Sequence, residues 1–239
     1  MADFCKNCNT ELSGKLCSDC GQEAILERIN GQYIKSEIKH LLHFEKGLFY
    51  TIKELLIRPG KSVRTFLTEN RNRLVKPIFF IIVTSLIYTL VSQYFQIEEQ
   101  YVNYDVGEFK TTGVILKWIQ DNYGYSNILM GVFIAFFVNF FFKKYNFNFY
   151  EILILLCFVM GFAMLIGALF ALLQGLIHFD LMGIAGILFM IYATFAIADF
   201  YDRTKPANYV KAFISYLLGM IIFIVLIVFS GIIIDLILM

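Results

Sequence analysis

Four cysteines lie near the amino terminus in two C-x-x-C pairs: Cys5, Cys8, Cys17 and Cys20. This spacing lets two thiolates of one tight turn bind the same tetrahedral Zn²⁺ ion. Each pair is followed by a residue that tolerates positive φ, Asn9 after the first and Gly21 after the second. A metal-binding turn needs that conformation because the backbone must turn back beneath the metal. The sequence therefore predicts a zinc ribbon over residues 1–22, with all four thiolates as ligands.

Disulfide bonds are the alternative use of these cysteines, and they would form if the head were exported. The uneven distribution of basic residues along the chain places the head in the cytoplasm instead. Thiols stay reduced there, so Zn²⁺ is the favoured interpretation. The fifth cysteine, Cys157, lies in an apolar run and is expected to pack as a small buried hydrophobic residue.

A basic cluster follows the head: Arg58, Lys61, Arg64, Arg71, Arg73 and Lys76. Between residues 58 and 76 the only acidic residue is Glu69. Cations just outside a membrane attract anionic lipid headgroups by about 1 kcal/mol per residue. We therefore predict that the cluster contacts the lipid surface. The alternative is that these charges only fix the topology of the chain.

Residues 23–76 are predicted to form cytoplasmic helices next to the membrane. Apolar residues recur between positions 38 and 56 with the spacing of an amphipathic helix. Pro59 and Gly60 end this helix, because proline disfavours a helical residue before it. A second short helix is expected from Lys61 to about Asn70.

The composition of the 239-residue chain indicates a membrane protein. Hydrophobic residues make up 59% and charged residues 16%, against about 45–50% and about 25% in soluble domains. The mean hydropathy is +0.68. Five apolar segments are each near the length of about 20 residues that crosses a bilayer: 77–96, 125–142, 152–176, 181–199 and 211–237. We predict an all-α integral membrane protein with a five-helix transmembrane domain over residues 77–239.

The basic residues fall on one side of this arrangement. Thirteen of the 20 Lys and Arg residues lie in residues 1–76, and the 143–151 and 200–211 connections carry five more. Only Lys110 and Lys117 fall on the other side. By the positive-inside rule the amino terminus is cytoplasmic and the carboxyl terminus lies outside.

Small residues recur at every fourth position of the third apolar segment: Ala163, Gly167, Ala171 and Gly175. In lipid, small residues on one face of a helix let two backbones approach closely. The pattern predicts a helix-packing face inside the bundle. A contact in a homo-oligomer is the alternative.

The sequence shows no motif for nucleotide hydrolysis, dinucleotide binding or the common hydrolase mechanisms. Residues 152–179 and 181–198 contain no Asp, Glu, Lys or Arg, and ion-coupled transport usually needs such groups within the membrane. Asp199 and Asp235 lie near helix ends, where solvation costs little. We therefore expect neither an enzyme nor an ion-coupled transporter.

Several short runs between residues 45 and 77 carry a resemblance: Glu45-Lys46-Gly47, Tyr50-Thr51-Ile52-Lys53-Glu54-Leu55-Leu56, Arg58-Pro59-Gly60-Lys61, Asn70-Arg71 and Lys76-Pro77. They resemble an uncharacterised bacterial membrane-protein family, common in Bacteroidota and known as a domain of unknown function. That family pairs a short zinc ribbon with this segment and several spanning helices. The resemblance implies the same architecture here and supplies no catalytic residue. The five-helix layout with a cytoplasmic amino terminus also resembles Yip1-type membrane proteins in topology.

We expect a non-enzymatic membrane scaffold or adaptor that docks a protein partner or a lipid surface through the ribbon and the basic cluster. Nucleic acid is not an expected partner, because the formal net charge is only +1 and the ribbon carries only Lys6 and Lys15. The alternative is a transporter or channel subunit for a small uncharged or lipidic solute. Its path would be lined by Asn139, Gln174 and Thr194.

Overall fold

A computed structural model describes residues 4–11, 14, 17–21, 47–97 and 110–238 of the chain. Eight α-helices lie in these ranges: α1 (Leu48–Ile57), α2 (Pro59–Thr68), α3 (Pro77–Tyr94), α4 (Lys110–Asp121), α5 (Tyr123–Phe141), α6 (Phe149–Ile177), α7 (Met182–Tyr201) and α8 (Pro206–Leu238). A short 3₁₀ helix, Lys143–Tyr145, lies between α5 and α6. The part of the amphipathic segment predicted before residue 47 lies outside the described residues.

The predicted all-α membrane fold is confirmed. α3, α6, α7 and α8 are long and apolar enough to cross a membrane, and a shorter apolar helix, Tyr125–Phe141 within α5, makes the fifth. Each of the five predicted apolar segments falls on one of these helices. Among the described residues, β-structure is limited to an isolated bridge between Phe4 and Glu11 in the head.

Four helices begin at residues that are typical of helix starts. Pro59, Pro77 and Pro206 occupy the first position of α2, α3 and α8, where the backbone N–H that proline lacks has no partner within the helix. Asn148 and Glu151 form a capping box at the start of α6. Each side chain accepts the backbone N–H of the other, at 2.9 and 2.8 Å. Local chemistry therefore fixes where these four helices begin.

The two ends of the bundle differ in charge. At one end α2 meets the connection between α5 and α6 and the end of α7, where the Arg64 guanidinium lies 5.9 Å from the ring centroid of Phe147. There Arg64 Nη1 donates to the carbonyl of Tyr201 at 3.2 Å, and Asn208 Nδ2 donates to the hydroxyl of Tyr145 at 2.9 Å. We call this the basic end, because it gathers the segments that share the excess of Lys and Arg. The other end, formed by α4 and the α6–α7 connection, we call the opposite end.

Aromatic side chains fill the core near the basic end. Phe158 of α6 packs against Phe66 of α2 and Phe80 of α3, with ring centroids 5.5 and 5.7 Å apart. Phe142 stacks on Tyr201 of α7 at 4.1 Å. All five side chains are buried. Because Phe66 belongs to this cluster, α2 is part of the membrane-domain core and not a separate surface helix.

The connection between the first two apolar segments contains α4, a helix that the sequence analysis did not predict. Asp235 of α8 holds the start of α4: its carboxylate accepts the backbone N–H groups of Thr111 at 2.8 Å and Thr112 at 3.3 Å. Gly231 admits this close approach, since a Cβ there would lie 2.5 Å from the Thr112 hydroxyl. Asp235 is only 6% exposed. Asp235 lies near the end of α8, as the sequence indicates, but backbone N–H groups of α4 bind its carboxylate there.

The stripe of small residues on α6 faces α3. A Cβ at Gly167 would lie 3.0 Å from the ring of Tyr88, and one at Gly175 would lie 2.1 Å from the ring of Phe95. Ala163 and Ala171, the other two members of the stripe, are buried. α3 and α6 form the most extensive helix pair in the described part of the chain. The structure therefore places the stripe inside the bundle.

Candidate metal centre and basic collar

The four predicted ligand atoms come together in the head. The Sγ atoms of Cys5, Cys8, Cys17 and Cys20 all lie within 4.8 Å of one another, without a disulfide. Three of the Sγ–Sγ pairs are 3.5 Å apart: Cys5–Cys20, Cys8–Cys17 and Cys8–Cys20. A tetrahedral ion with metal–sulfur bonds of about 2.3 Å sets its ligands about 3.8 Å apart. The arrangement therefore fits one metal ion held by four thiolates.

The backbone of both cysteine turns has the predicted conformation. Asn9 and Gly21 adopt φ values of 62° and 71°. The carbonyl of Cys5 accepts the N–H of Asn9, and the carbonyl of Cys17 accepts the N–H of Gly21, each at 2.9 Å. The prediction that these two positions carry positive φ is confirmed. The two turns are therefore equivalent metal-binding units.

Polar contacts join the two turns to each other and to the rest of the chain. The hydroxyl of Thr10 donates to the carboxylate of Asp19 at 2.8 Å, across the site. Asn70, which follows α2, donates its amide N–H to the side-chain oxygen of Asn7. The head therefore rests on the segment between α2 and α3, at the basic end.

The thiols of the head differ in acidity. Backbone N–H groups of its own turn lower the pKa of Cys5, and the hydroxyl and N–H of Thr10 lower that of Cys8 to about 6. Backbone N–H groups also act on Cys17, but burial and the neighbouring thiols of Cys8 and Cys20 outweigh them and raise its pKa to about 11. Four thiolates repel one another unless a cation lies among them. At neutral pH, a bound metal therefore favours full deprotonation of this cluster.

Next to the head, α1, α2 and residues 69–76 form a unit that we call the collar. Glu54 of α1 lies at its centre and is only 7% exposed. Its carboxylate accepts two hydrogen bonds from Arg58 at 2.9 and 2.8 Å, one from Ser62 at 2.8 Å and one from Arg73 at 3.2 Å. Arg58 is the main cause that holds the pKa of Glu54 at about 2. The carboxylate thus ties α1, α2 and the following segment together.

The six residues of the predicted lipid-contact cluster have different environments. Arg58 and Arg73 are paired with Glu54, and Arg64 reaches the carbonyl of Tyr201 at 3.2 Å. Lys61 is exposed. Arg71 and Lys76, the remaining two, are half-buried. The cluster is therefore both part of the collar's internal structure and a source of positive charge on its surface.

One face of α1 is apolar and exposed. Phe49 is 87% exposed, and Leu56 and Ile57, two turns further along the helix, are also exposed. Lys53 lies on the same face, between them. An apolar helix face bordered by cations is typical of helices that lie in the interface between lipid headgroups and acyl chains.

Sequence reasoning assigned no structural contact to Glu54, Asp199 or Asp235. Glu54 and Arg58 have the i,i+4 spacing of an ion pair on a helix, so the sequence alone could have indicated the contact between them. No local pattern indicates the bonds from Asp199 to α2 or from Asp235 to α4, because the partners are 138 and 124 residues apart in sequence.

The residues suggested for a solute path do not meet in one cavity. Gln174 accepts the backbone N–H of Leu181 at 3.0 Å, inside the α6–α7 turn. Thr194 is half-buried in α7, and among the described residues its hydroxyl oxygen has no hydrogen-bond partner. Asn139 lies half-buried near the end of α5 at the basic end.

Residues 45–89 match a family described as "Protein of unknown function (DUF3667)". The match covers α1, α2 and the first part of α3, and it includes Glu54 and Gly60. It coincides with the segment that carried the resemblance in the sequence, and the cysteines lie outside it. The Bacteroidota source and the Yip1-type topology stay predictions. No curated protein and no solved structure matches the chain.

Proposed function

We propose that this chain is a non-enzymatic, multi-pass protein of a bacterial inner membrane that docks a protein partner through its cytoplasmic head. Zn²⁺ holds the head, and the collar rests on anionic lipid. The observation that carries the proposal is the collar itself. It is fixed to the membrane helices, exposes an apolar edge beside cations, and contacts the head through Asn70 and Asn7.

The donor set supports Zn²⁺ as the metal. Four thiolates are soft ligands, and zinc bound by four cysteines is typical of structural sites. Because the protein supplies all four ligands, no position stays open for a substrate or a catalytic water. Binding energy at such a site is used to fold the segment that carries the ligands. The head is therefore suited to recognition and not to catalysis.

The two ends of the bundle support a cytoplasmic amino terminus. The head touches Asn70 at the basic end, whereas Asp235, near the end of α8, touches α4 at the opposite end. Lys and Arg are enriched in cytoplasmic connections of membrane proteins. The basic end then faces the cytoplasm, and the carboxyl terminus lies outside.

Lipid contact by the collar can be tested by fluorescence. The chain has one tryptophan, Trp118, so Phe49→Trp in a Trp118→Phe background reports on α1 alone. In bilayers containing anionic lipid, we expect lipids brominated near the headgroup to quench this tryptophan. Lys53→Gln with Lys61→Gln should weaken the quenching, and Lys205→Gln, which removes a cation outside the collar, should not. Equal quenching in neutral and anionic bilayers would contradict the proposal.

Docking by the head can be tested by affinity isolation from native membranes. The intact protein should retain a specific partner that Cys17→Ser with Cys20→Ser loses. Cys157→Ser removes a thiol outside the head and serves as the matched control. If the same proteins are retained with and without the metal ligands, the head has no docking role.

A further inference from the structure

A large cavity lies in the half of the bundle away from the basic end. Its volume is about 840 Å³, and α3, α4, α5, α6, α7 and α8 all contribute to its wall. Ligand sites in proteins commonly enclose about 300–1,000 Å³. The cavity therefore has the size of a binding site, and it is distinct from both the head and the collar.

The wall of the cavity is uncharged and adaptable. Among the described residues, no Asp, Glu, Lys, Arg or His lines it. Five of the chain's eight methionines do: Met130, Met164, Met182, Met190 and Met220. Methionine side chains are flexible and polarizable, so they adjust to apolar ligands of varied shape. These residues disfavour an ion or a charged metabolite and favour a hydrocarbon chain.

The cavity is about as deep as one leaflet of a bilayer. Along α8 its wall extends from Tyr216 to Val228, a distance of about 18 Å at a rise of about 1.5 Å per residue. One leaflet of the hydrocarbon core is about 15 Å thick. The ring of Phe189 packs edge-on against Tyr216 at 5.4 Å and forms the deep end. An extended acyl chain fits this depth.

A polar group lies near the other end of the cavity. Asn127, in the second turn of α5, lines the cavity and is only 6% exposed. Its amide donates to the sulfur of Met164 at 3.6 Å, and a thioether is a weak acceptor. Neighbouring Ser126 donates its hydroxyl to the carbonyl of Ile119 at 3.1 Å. The Asn127 amide is therefore the polar group best placed to bind a ligand.

Part of the cavity wall is formed by neighbouring positions of α7 and α8. Gly186 on α7 and Ile224 on α8 both line the cavity and are both exposed. A Cβ at Gly186 would meet nothing within 4 Å. We infer that a lipid enters the cavity from the bilayer between these two helices.

We propose that this cavity binds a neutral acyl lipid. Its chain runs between α5, α6, α7 and α8 toward Tyr216, and its hydroxyl or ester group bonds Asn127. The buried rings of Phe66, Phe80 and Phe158 pack together in the basic half of the bundle. This packing favours a binding pocket over a path across the membrane. The proposal rests on the bundle alone and does not depend on the docking function of the head.

The test uses the full-length protein in nanodiscs and a monoacylglycerol with a photoactivatable diazirine on its acyl chain. We expect saturable cross-linking to cavity residues of α5 and α8, competed by unlabelled monoacylglycerol. Gly186→Phe adds a large ring at a position that lines the cavity and has open space beside it, and it should reduce this labelling at least fivefold. Gly183→Phe, on the same helix, also meets open space but lies outside the cavity wall, so it should stay within twofold of the wild type.

Two further variants keep the test decisive. Gly186→Leu gives a smaller obstruction if the phenylalanine variant is not monodisperse. Asn127→Leu should reduce labelling by the monoacylglycerol more than labelling by a diazirine alkane of equal length. Labelling that is not saturable, or that Gly186→Phe leaves unchanged, would mean contact with bulk lipid only and would overturn the proposal.

Discussion

The backbone N–H of Lys61 donates to the carboxylate of Asp199 at 2.9 Å, joining the first turn of α2 to the last turn of α7. A carboxylate at a helix start also interacts favourably with the helix dipole, by about 0.3–1 kcal/mol. The contact requires Gly60, because a Cβ there would lie 2.0 Å from the backbone nitrogen of Phe200. The collar therefore packs directly against the backbone of α7, a membrane helix.

Gly60→Ala is expected to separate the collar from α7. The added methyl group meets backbone atoms, which cannot move aside as a side chain can, so α2 must shift. Overpacking of this kind costs about 1–3 kcal/mol, and we expect a lower Tm in detergent. Gly183→Ala is the control, since a Cβ there meets nothing within 4 Å. Equal Tm values for the two variants would show that α2 is not held at this point.

Glu54→Gln should destabilise the collar. The substitution keeps the shape of the side chain but removes the negative charge that pairs with Arg58 and Arg73 and accepts a hydrogen bond from Ser62. A broken buried ion pair costs about 3–5 kcal/mol. Arg58 is partly exposed, so we expect about 2 kcal/mol, measured as faster hydrogen exchange across α1 and α2. Glu69→Gln, an exposed acid at the end of α2, is the control.

The same carboxylate makes the collar sensitive to acid. The pKa of Glu54 is about 2 in the folded chain, against an ordinary value of 4.5. Because the folded value is the lower one, the stabilisation is complete above about pH 5 and is lost as the pH falls toward 2. Opening of α1, measured as the amide exchange rate divided by the intrinsic rate at each pH, should therefore increase as the pH falls over this range in the wild type. The increase should be much smaller in Glu54→Gln, and an identical pH profile would contradict the assignment.

The sequence predicted those parts of the fold that depend on residues close together in the chain. The apolar segments, the end of α1 just before Pro59, and the positive φ of Asn9 and Gly21 are all local patterns. The start of α2 was predicted at Lys61, whereas the helix begins at Pro59. The clustering of the four thiols also follows from local spacing, because each turn brings two of them together. Patterns of this kind act within one helical turn or one tight turn, so they can be read without the tertiary structure.

α4 and the cavity could not be predicted in this way. The start of α4 is stabilised by Asp235 from the end of α8, and Gly231 makes room for Thr112. The cavity depends on how six helices pack around residues such as Gly186 and Asn127. Both features arise from contacts between distant segments, which leave no periodic signal in the chain.

Asp235→Ala should loosen α4 while leaving the rest of the bundle intact. Loss of a side chain that caps a helix start costs about 0.5–2 kcal/mol, so amide exchange in α4 should rise by about tenfold for a loss near 1.4 kcal/mol. Asp180→Ala changes an exposed acid at the same end and should leave exchange in α4 unchanged. If both variants behave alike, Asp235 does not cap α4.

Metal removal should unfold the head and spare the membrane helices. Elemental analysis of the purified chain is expected to find one zinc per molecule, because four thiolates form one closed tetrahedral site. Cys17→Ser with Cys20→Ser should lose the zinc, whereas Cys157→Ser should keep it. In the metal-free variant, protease should cut the head, and the Tm of the bundle should change little, since the described contact between head and body is the Asn70–Asn7 hydrogen bond. A metal-free wild type that resists protease would show that the head folds without the ion.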